Sequence, residues 1–383
     1  MNTPLFWSFS LHALQAGLWT LGLALSVWAG LRLRWSRLVA LLVFLTMDLV
    51  MFGAYVRLAD AGLGCPDWPG CYAQFTPAQA GAEIRQAVAT QGGGEQGSVN
   101  PFKAWVEMLH RYVATVIGSL ILAMNLRALL ARSRRRRGAG SAAVWRHRLL
   151  DDHPVRLGLP LLLLGWVVLQ GLFGAWTVTL LLKPLIVTGH LMGGVILLLL
   201  AAWFWMPQRP ERLRQRVDGA TRLLLALGLL ATLVQVFLGG WVSTNYAALA
   251  CSGFPSCNGS WTPAVDWSGG YALWRDLGRN PDGSLLGLPA LVAIQWGHRL
   301  FAAALTLLLL GCAWRMQRWS ALRGPGRAVA ALLLLQLALG ASLVWLQHPL
   351  LPAVAHNGVA ALLLLLLTIA VWRSAPASSE ACD

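Results

Sequence analysis

Along the chain, apolar residues gather in long uninterrupted blocks, with polar residues confined to the segments between them. Blocks near 38–58, 104–126, 157–182, 185–206, 221–244, 289–313, 328–347 and 353–372 each approach the length of about 20 residues that crosses a bilayer as a helix. A further block at 9–31 has the length of a signal peptide. However, Arg32-Leu-Arg34-Trp-Ser-Arg37 follows it where a small-residue cleavage site belongs, so it reads as a retained helix with its N-terminus outside. The expected fold is an all-α integral membrane protein of eight core helices plus one extra helix at the front.

Composition agrees: 57% of the 383 residues are hydrophobic and 12% charged, which excludes an ordinary soluble domain. The net charge of +15 raises nucleic acid as a partner, but its distribution argues against that. Arg32, Arg34 and Arg37 occupy one inter-helix loop, and Arg132, Arg134–Arg137, Arg146, Arg148 and Arg156 another. Arg209, Arg212, Arg214, Arg216 and Arg222 fill a third, and Arg315, Arg318, Arg323 and Arg327 a fourth. These alternate with loops poor in Lys and Arg, so the basic loops are expected to be cytoplasmic. Loops 59–103, 183–184, 246–288 and 348–352 then face the outside.

The chain is a tandem duplication. Glu107-Met-Leu-His110-Arg111 returns as Gln295-Trp-Gly-His298-Arg299, and Gln170…Gly174-Ala175…His190 returns as Gln336…Gly340-Ala341…His356. The outer loop Cys65-Pro-Asp-Trp-Pro-Gly-Cys71 has its counterpart in Cys251-Ser-Gly-Phe-Pro-Ser-Cys257. Both pairs lie on the oxidising side, where a short ring containing Pro can close through a disulfide. Metal binding is the alternative, and neither loop supplies a His or second Cys pair to complete a zinc site. Cys312 and Cys382 stand outside this pattern.

His110, His190, His298 and His356 each lie four to nine residues past a Lys or Pro at an outer helix end. At the helical rise this sets all four roughly 6–14 Å below the outer boundary. Ionisable residues inside a membrane are costly and usually functional. Satisfied core histidines would be the bland reading of one such residue, but two duplicated pairs favour ligands. Two imidazoles from facing helices suit the axial positions of a haem iron, whereas zinc or copper would need three or four ligands close together. Arg111 and Arg299, with Arg57 and Lys183 at outer helix ends, are candidates to pair with haem propionates. For Arg57 and Lys183, snorkelling to the interface is the competing reading.

Glu107 shares a helix face with His110. A carboxylate there can exchange protons, and Gln295 cannot, so the first repeat is expected to be reactive and the second to transfer electrons or serve structure. Asp48, mid-helix, is a weaker candidate. His147 and His153 fall in a basic loop, and His12 and His348 lack counterparts in the other repeat. Gly92-Gly93-Gly94-Glu95-Gln96-Gly97 lacks the strand and the Lys-Ser/Thr of a phosphate loop, and the twenty tryptophans suit interfacial belts.

The quoted motifs, together with Gly62-Leu-Gly64 before Cys65 and Gln235-Val-Phe-Leu-Gly-Gly-Trp-Val242, resemble the haem A synthases across residues 38–373. That resemblance implies two pseudo-symmetric tandem four-helix bundles. It places substrate haem O between His110 and His190 in the first, near Arg111 and with Glu107 as the essential carboxylate. Haem b would be ligated by His298 and His356 in the second. The implied reaction oxidises a ring methyl of haem O to a formyl group, giving haem A for cytochrome oxidase. The expected organisation is 1–37 for the front helix and turn, 38–206 for the first bundle, 207–220 for a basic linker, 221–373 for the second bundle and 374–383 for a tail. Expected partners are haem O synthase and cytochrome oxidase assembly factors, in a bacterial inner membrane with the cysteine loops periplasmic. Nucleic acid is not expected, while homo-oligomerisation and the redox partner stay open. A bis-His cytochrome that only carries electrons would not need Glu107. A transporter would be suggested by the repeat, but neither half shows a Gly/Pro-broken helix at mid-membrane.

Overall fold

A computed structural model describes residues 21–22, 24–90, 99–136, 158–208 and 213–375. The described regular structure is helical: α1 Trp35–Leu58, α2 Gly81–Thr90, α3 Pro101–Arg136, α4 Gly158–Thr179, α5 Pro184–Trp205, α6 Gly219–Thr244, α7 Leu288–Met316, α8 Ser320–Trp345 and α9 Leu350–Arg373. Eight of these, all except α2, are long and apolar enough to cross a membrane. The protein is thus an all-α, multi-pass membrane protein, as its apolar blocks predict. The front helix expected at 9–31 lies largely outside the described residues. Its described end, 24–32, is helical, and Arg127 of α3 donates to Gly30 O at 2.9 Å and Leu33 O at 2.7 Å.

Helix starts follow local chemistry. Pro101 opens α3, Pro184 opens α5 and Pro289 stands in the first turn of α7, where a missing N–H costs nothing. Asp218 caps α6 by accepting Thr221 N–H at 2.6 Å. α8 begins at Ser320, well before the expected 328, and carries Pro325 inside its first turns. Proline there deprives the carbonyl four residues back of its donor. That carbonyl, Ala321 O, instead accepts from Arg373 at 3.1 Å, which removes the reason for the helix to break.

By packing, the chain separates into two compact units. One contains residues up to Leu49 with Asp60–Thr179, the other Val50–Ala59 with Leu180 onward. In the first, α3 packs along α4, and buried Asn125 joins them by donating to Pro160 O at 2.9 Å. In the second, α6, α7, α8 and α9 close a ring in which α6 touches α7 and α9, and α8 touches the same two. α7 and α9 are therefore diagonal, as are α6 and α8. Leu225, Leu309, Cys312, Met316, Val329, Leu333 and Leu367 fill part of its core. Gly228 lets α6 and α7 approach: a Cβ there would meet Cys312 Sγ at 2.9 Å. α5 packs on α6 and α9, with Thr188 and Thr244 hydroxyls 3.1 Å apart.

Candidate functional site

Each repeat presents a disulfide loop fastened to the helix that carries its first histidine. Cys65–Cys71 and Cys251–Cys257 are both bonded, each closing a loop with a sequence separation of 6. In the first loop, bridge pairing between Cys71 and Gln74 turns the chain through Tyr72 and Ala73, and the second repeats it with Cys257, Ser260, Asn258 and Gly259. All four turn residues have positive φ. Asp67 supports the first turn by accepting Tyr72 and Ala73 N–H at 2.6 Å each. The first loop's core also takes Ile84 from α2, a helix the sequence pattern did not reveal, with Val99, Ala104 and Met108.

Arg111, on α3, donates to the carbonyls of Asp67 at 2.8 Å, Pro69 at 3.3 Å and Gly70 at 2.6 Å, and forms an ion pair with Glu107 one turn back. Arg299, on α7, donates to Gly253 O at 2.8 Å, Ser256 O at 2.7 Å and Cys251 O at 3.0 Å. Two of these acceptors, Gly253 and Ser256, occupy the positions in their loop that Asp67 and Gly70 occupy in the other. The guanidinium fork is thus used as a staple between helix and loop in both repeats.

The halves diverge at the residue one turn before each histidine. Glu107 is 4% exposed, and its Oε2 accepts Cys65 N–H at 2.9 Å. Gln295 is also buried, but it donates, to Ala248 O at 3.1 Å. The first repeat therefore holds its loop through a carboxylate, and Arg111 is paired with that charge. Arg299 has an amide in the equivalent place.

In the second unit, His298 on α7 and His356 on α9 project from diagonal helices, and each meets a glutamine from a neighbouring helix. Gln235 Nε2 of α6 is 3.0 Å from His298 Nδ1 and 3.3 Å from its Nε2, and donates to His298 O at 3.2 Å. Gln336 Nε2 of α8 is 3.2 Å from His356 Nε2. One turn after each glutamine comes a glycine. A Cβ on Gly239 would meet His298 Cε1 at 3.2 Å, and one on Gly340 would meet His356 Cε1 at 3.1 Å. A larger residue at either position would press on the imidazole, which would have to give by a few tenths of an ångström. His356 Nδ1 is buried without a protein hydrogen-bond partner. In the first repeat, His110 lies on α3 and His190 on α5, both half-buried, and His190 Nδ1 is likewise buried without a protein partner.

The remaining cations are engaged elsewhere. Arg57 donates to Ser243 O at 2.7 Å and lies 4.1 Å from the Tyr246 ring centroid. Lys183 pairs with the exposed Asp276 at 2.7 Å and sits 5.0 Å from the Trp274 ring centroid. Asp48 is exposed on α1. Sequence reading missed Arg275, which is 3% exposed and donates to Asn245 Oδ1 at 2.6 Å and to Gly269 O. With Trp241, whose indole N–H reaches Gly270 O at 2.9 Å, it ties the 246–288 loop to the C-terminal end of α6. The available signal was a loop of about 43 residues with only two basic residues, Arg275 and Arg279.

Chemically, two imidazoles from diagonal helices, each backed by an amide and a glycine, make a two-ligand site. Among the described residues, no group of three or more His, Cys, Asp or Glu is placed to hold a bare metal ion. A porphyrin iron asks the protein for two axial ligands, and His298 and His356 are two imidazoles on diagonal helices.

A family model described as cytochrome oxidase assembly protein matches residues 36–368. A protein named heme A synthase from Shewanella oneidensis is 35% identical over 356 residues, covering 91% of this chain and 100% of that protein. Heme A synthases from Rhizorhabdus wittichii and Caulobacter vibrioides are each 28% identical, covering 86% and 88% of this chain and 90% and 94% of their own lengths.

Proposed function

The chain belongs to the cytochrome oxidase assembly protein family matched by residues 36–368, and on that premise we propose that it is a haem A synthase, an oxidoreductase that converts a ring methyl of haem O to the formyl group of haem A. The observation that carries the division of labour is the Glu107/Gln295 difference, set in two otherwise matching helix-and-loop clamps. The repeat with the carboxylate takes the substrate haem O, with His110, on the helix of Glu107, as its candidate ligand. The repeat with the amide holds haem b through His298 and His356. Haem b bound there supplies one-electron redox chemistry.

Oxidation of the methyl proceeds through the alcohol. The first stage replaces a C–H by C–OH with net loss of two electrons and two protons, counting the oxygen as that of water. The second removes two more of each to leave the aldehyde, and the four electrons pass to an external redox acceptor of the membrane. Protons must therefore leave the reacting carbon at both stages, in a membrane interior with few acceptors. Glu107 is the buried carboxylate on the face of His110, and it is proposed to take them up. Arg111 and the Cys65 N–H hold that carboxylate in one orientation and join it to the outer loop, from which solvent can receive the proton.

Lys183, whose partner Asp276 faces solvent, remains the propionate candidate, whereas Arg57 already donates to Ser243 O. Arg111 and Arg299 are proposed to serve the loops instead, because their guanidinium groups are already spent on carbonyls. The cysteine loops would face the periplasm of a bacterial inner membrane, with haem O synthase upstream and cytochrome oxidase assembly downstream. The test is haem extracted into acid from membranes that express this chain together with a supply of haem O. A new haem A peak supports the synthase. Unchanged haem O beside a normal b-type spectrum would leave only an electron carrier.

A further inference from the structure

The glutamines of the second repeat are drawn into the site by geometry, and the synthase reading gives them no task. Gln235 and Gln336 come from α6 and α8, the diagonal pair complementary to the histidine-bearing α7 and α9. Gln336 reaches His356 Nε2 at 3.2 Å, and Gln235 lies nearest His298 Nδ1 at 3.0 Å, with Nε2 of the same ring at 3.3 Å. Each is followed one turn later by the glycine that clears room for that same ring, so Gln-x-x-x-Gly is a socket for one imidazole. The Oε1 atoms of both glutamines are buried without a hydrogen-bond partner. A half-turn of the terminal amide presents that oxygen to the ring in place of the nitrogen. The amide then becomes an acceptor for an imidazole N–H, and in Gln235 the nitrogen gives up its present bond to His298 O.

We propose that Gln235 and Gln336 are positioning residues for the resident haem, each accepting the N–H of its histidine so that the ring's other nitrogen is held for iron. The proposal rests on the reading that His298 and His356 ligate haem b. A histidine ligand whose second nitrogen donates to an oxygen is fixed in tautomer and ring plane, and is a stronger electron donor to its metal. Such ligation favours the ferric state, so these amides keep the haem potential low. In the sequence, Gln170 holds the position of Gln336 in the first repeat. Leu49 stands where Gln235 would fall at the offset that relates Cys65 to Cys251. The complete pair therefore belongs to the repeat proposed to hold the resident haem.

The test uses the purified full-length protein, with haem content, redox titration and low-temperature electron paramagnetic resonance as readouts. Gln235→Leu and Gln336→Leu remove the acceptor and keep the bulk. Each should retain haem b, shift its potential upward and alter the low-spin signal. Gln235→Glu and Gln336→Glu keep an acceptor oxygen and strengthen it, and should shift the potential downward past the wild-type value. Opposite shifts from Leu and Glu are the signature of a hydrogen bond to the ligand. Wild-type potentials and spectra in all four variants would overturn the proposal, as would shifts or haem losses in the same direction for Leu and Glu, which mean packing alone. If His298→Ala and His356→Ala leave the wild-type haem spectrum intact, the ligand reading itself has failed, a result separate from any of these.

Discussion

Glu107 accepts the backbone N–H of Cys65 at 2.9 Å, so the one buried carboxylate among the described residues is attached directly to the disulfide loop above it. Its other oxygen takes Arg111, and Arg111 in turn holds three carbonyls of the same loop. Loop, arginine and carboxylate form one unit, and a change in any of them will be felt by the other two.

Glu107→Gln separates the chemical from the structural work of this carboxylate. Gln295 shows that an amide fits a buried position of this kind, and an amide oxygen can still accept Cys65 N–H. The variant should insert, form both disulfides and keep haem b. It loses the capacity to take up a proton, which is worth about 10²- to 10⁴-fold in rate where a positioned acid or base is used. Haem A formation should fall by about 10²-fold or more on that basis, with haem O or a partly oxidised product accumulating. Haem A made at the normal rate would reduce Glu107 to a loop fastener.

Arg111→Ala should do what Glu107→Gln does not, and release the loop. It leaves the Asp67, Pro69 and Gly70 carbonyls without their donor and Glu107 without its counter-charge. Removing one member of a buried pair costs on the order of 3–5 kcal/mol. Arg111→Lys should recover little of this, because an ammonium cannot reach several carbonyls with a rigid fork. Protease added to the outer side should cut the 59–100 segment faster in both variants, and Arg299→Ala should expose the 251–257 loop in the same way. Unchanged cleavage would show that the disulfides alone hold the loops.

His298→Ala and His356→Ala should each lower haem b content, read from the reduced-minus-oxidised spectrum, while His110→Ala should leave that spectrum in place and lower haem A formation. The two classes follow from which repeat keeps a carboxylate. Full haem b in both second-repeat variants would require other axial ligands.

Much of the fold was legible because lipid imposes it: a helix that crosses must be apolar over about 20 residues, and such runs stand out in any sequence. The misses have local causes. Pro325 reads as a break, and only the fold brings Arg373 to the carbonyl that proline strands. α2 was hidden because little beyond Ile84 of that helix is buried. Within the site, duplication revealed the four histidines and the Glu107/Gln295 difference. The backbone carbonyls that Arg111 and Arg299 hold leave no mark in sequence. Gln235 and Gln336 were visible as repeated residues, but their role depends on which helices are neighbours in the ring.

Asp218 offers a pH test away from the membrane interior. The Thr221 backbone N–H, its hydroxyl and then Arg315 hold this carboxyl below the ordinary aspartate range, and Arg315 reaches both its oxygens at 3.0 Å. A depressed folded pKa contributes stability that is present above the unfolded value of about 4 and lost as pH falls through the folded one. The melting temperature of purified protein should fall over that acid window. Asp218→Asn keeps a good cap but cannot pair with Arg315, so it should start from a lower melting temperature at neutral pH and show a shallower acid decline. Parallel profiles for the two proteins would place the acid sensitivity elsewhere.

Gln295→Glu tests the asymmetry from the opposite side. Arg299 lies beside His298 and spends its donors on Cys251, Gly253 and Ser256 carbonyls, which are neutral, and no carboxylate among the described residues is ion-paired with it near the proposed haem b. A positive charge near the iron favours the ferrous state, and the wild-type potential should contain that contribution. Glutamate at 295, one turn before Arg299, would face it at the spacing that joins Glu107 to Arg111. The new carboxylate should neutralise Arg299 and lower the haem b potential, while haem content and the bis-imidazole spectrum stay as they were. Ala248 O loses the amide donor it has now, so a modest loss of thermal stability should accompany the shift. Haem A synthesis should continue, slowed only as far as the lower potential slows electron transfer. An unchanged potential would mean that Arg299 is screened from the iron. Loss of all haem A formation with haem b intact would mean that the second repeat does more than carry electrons.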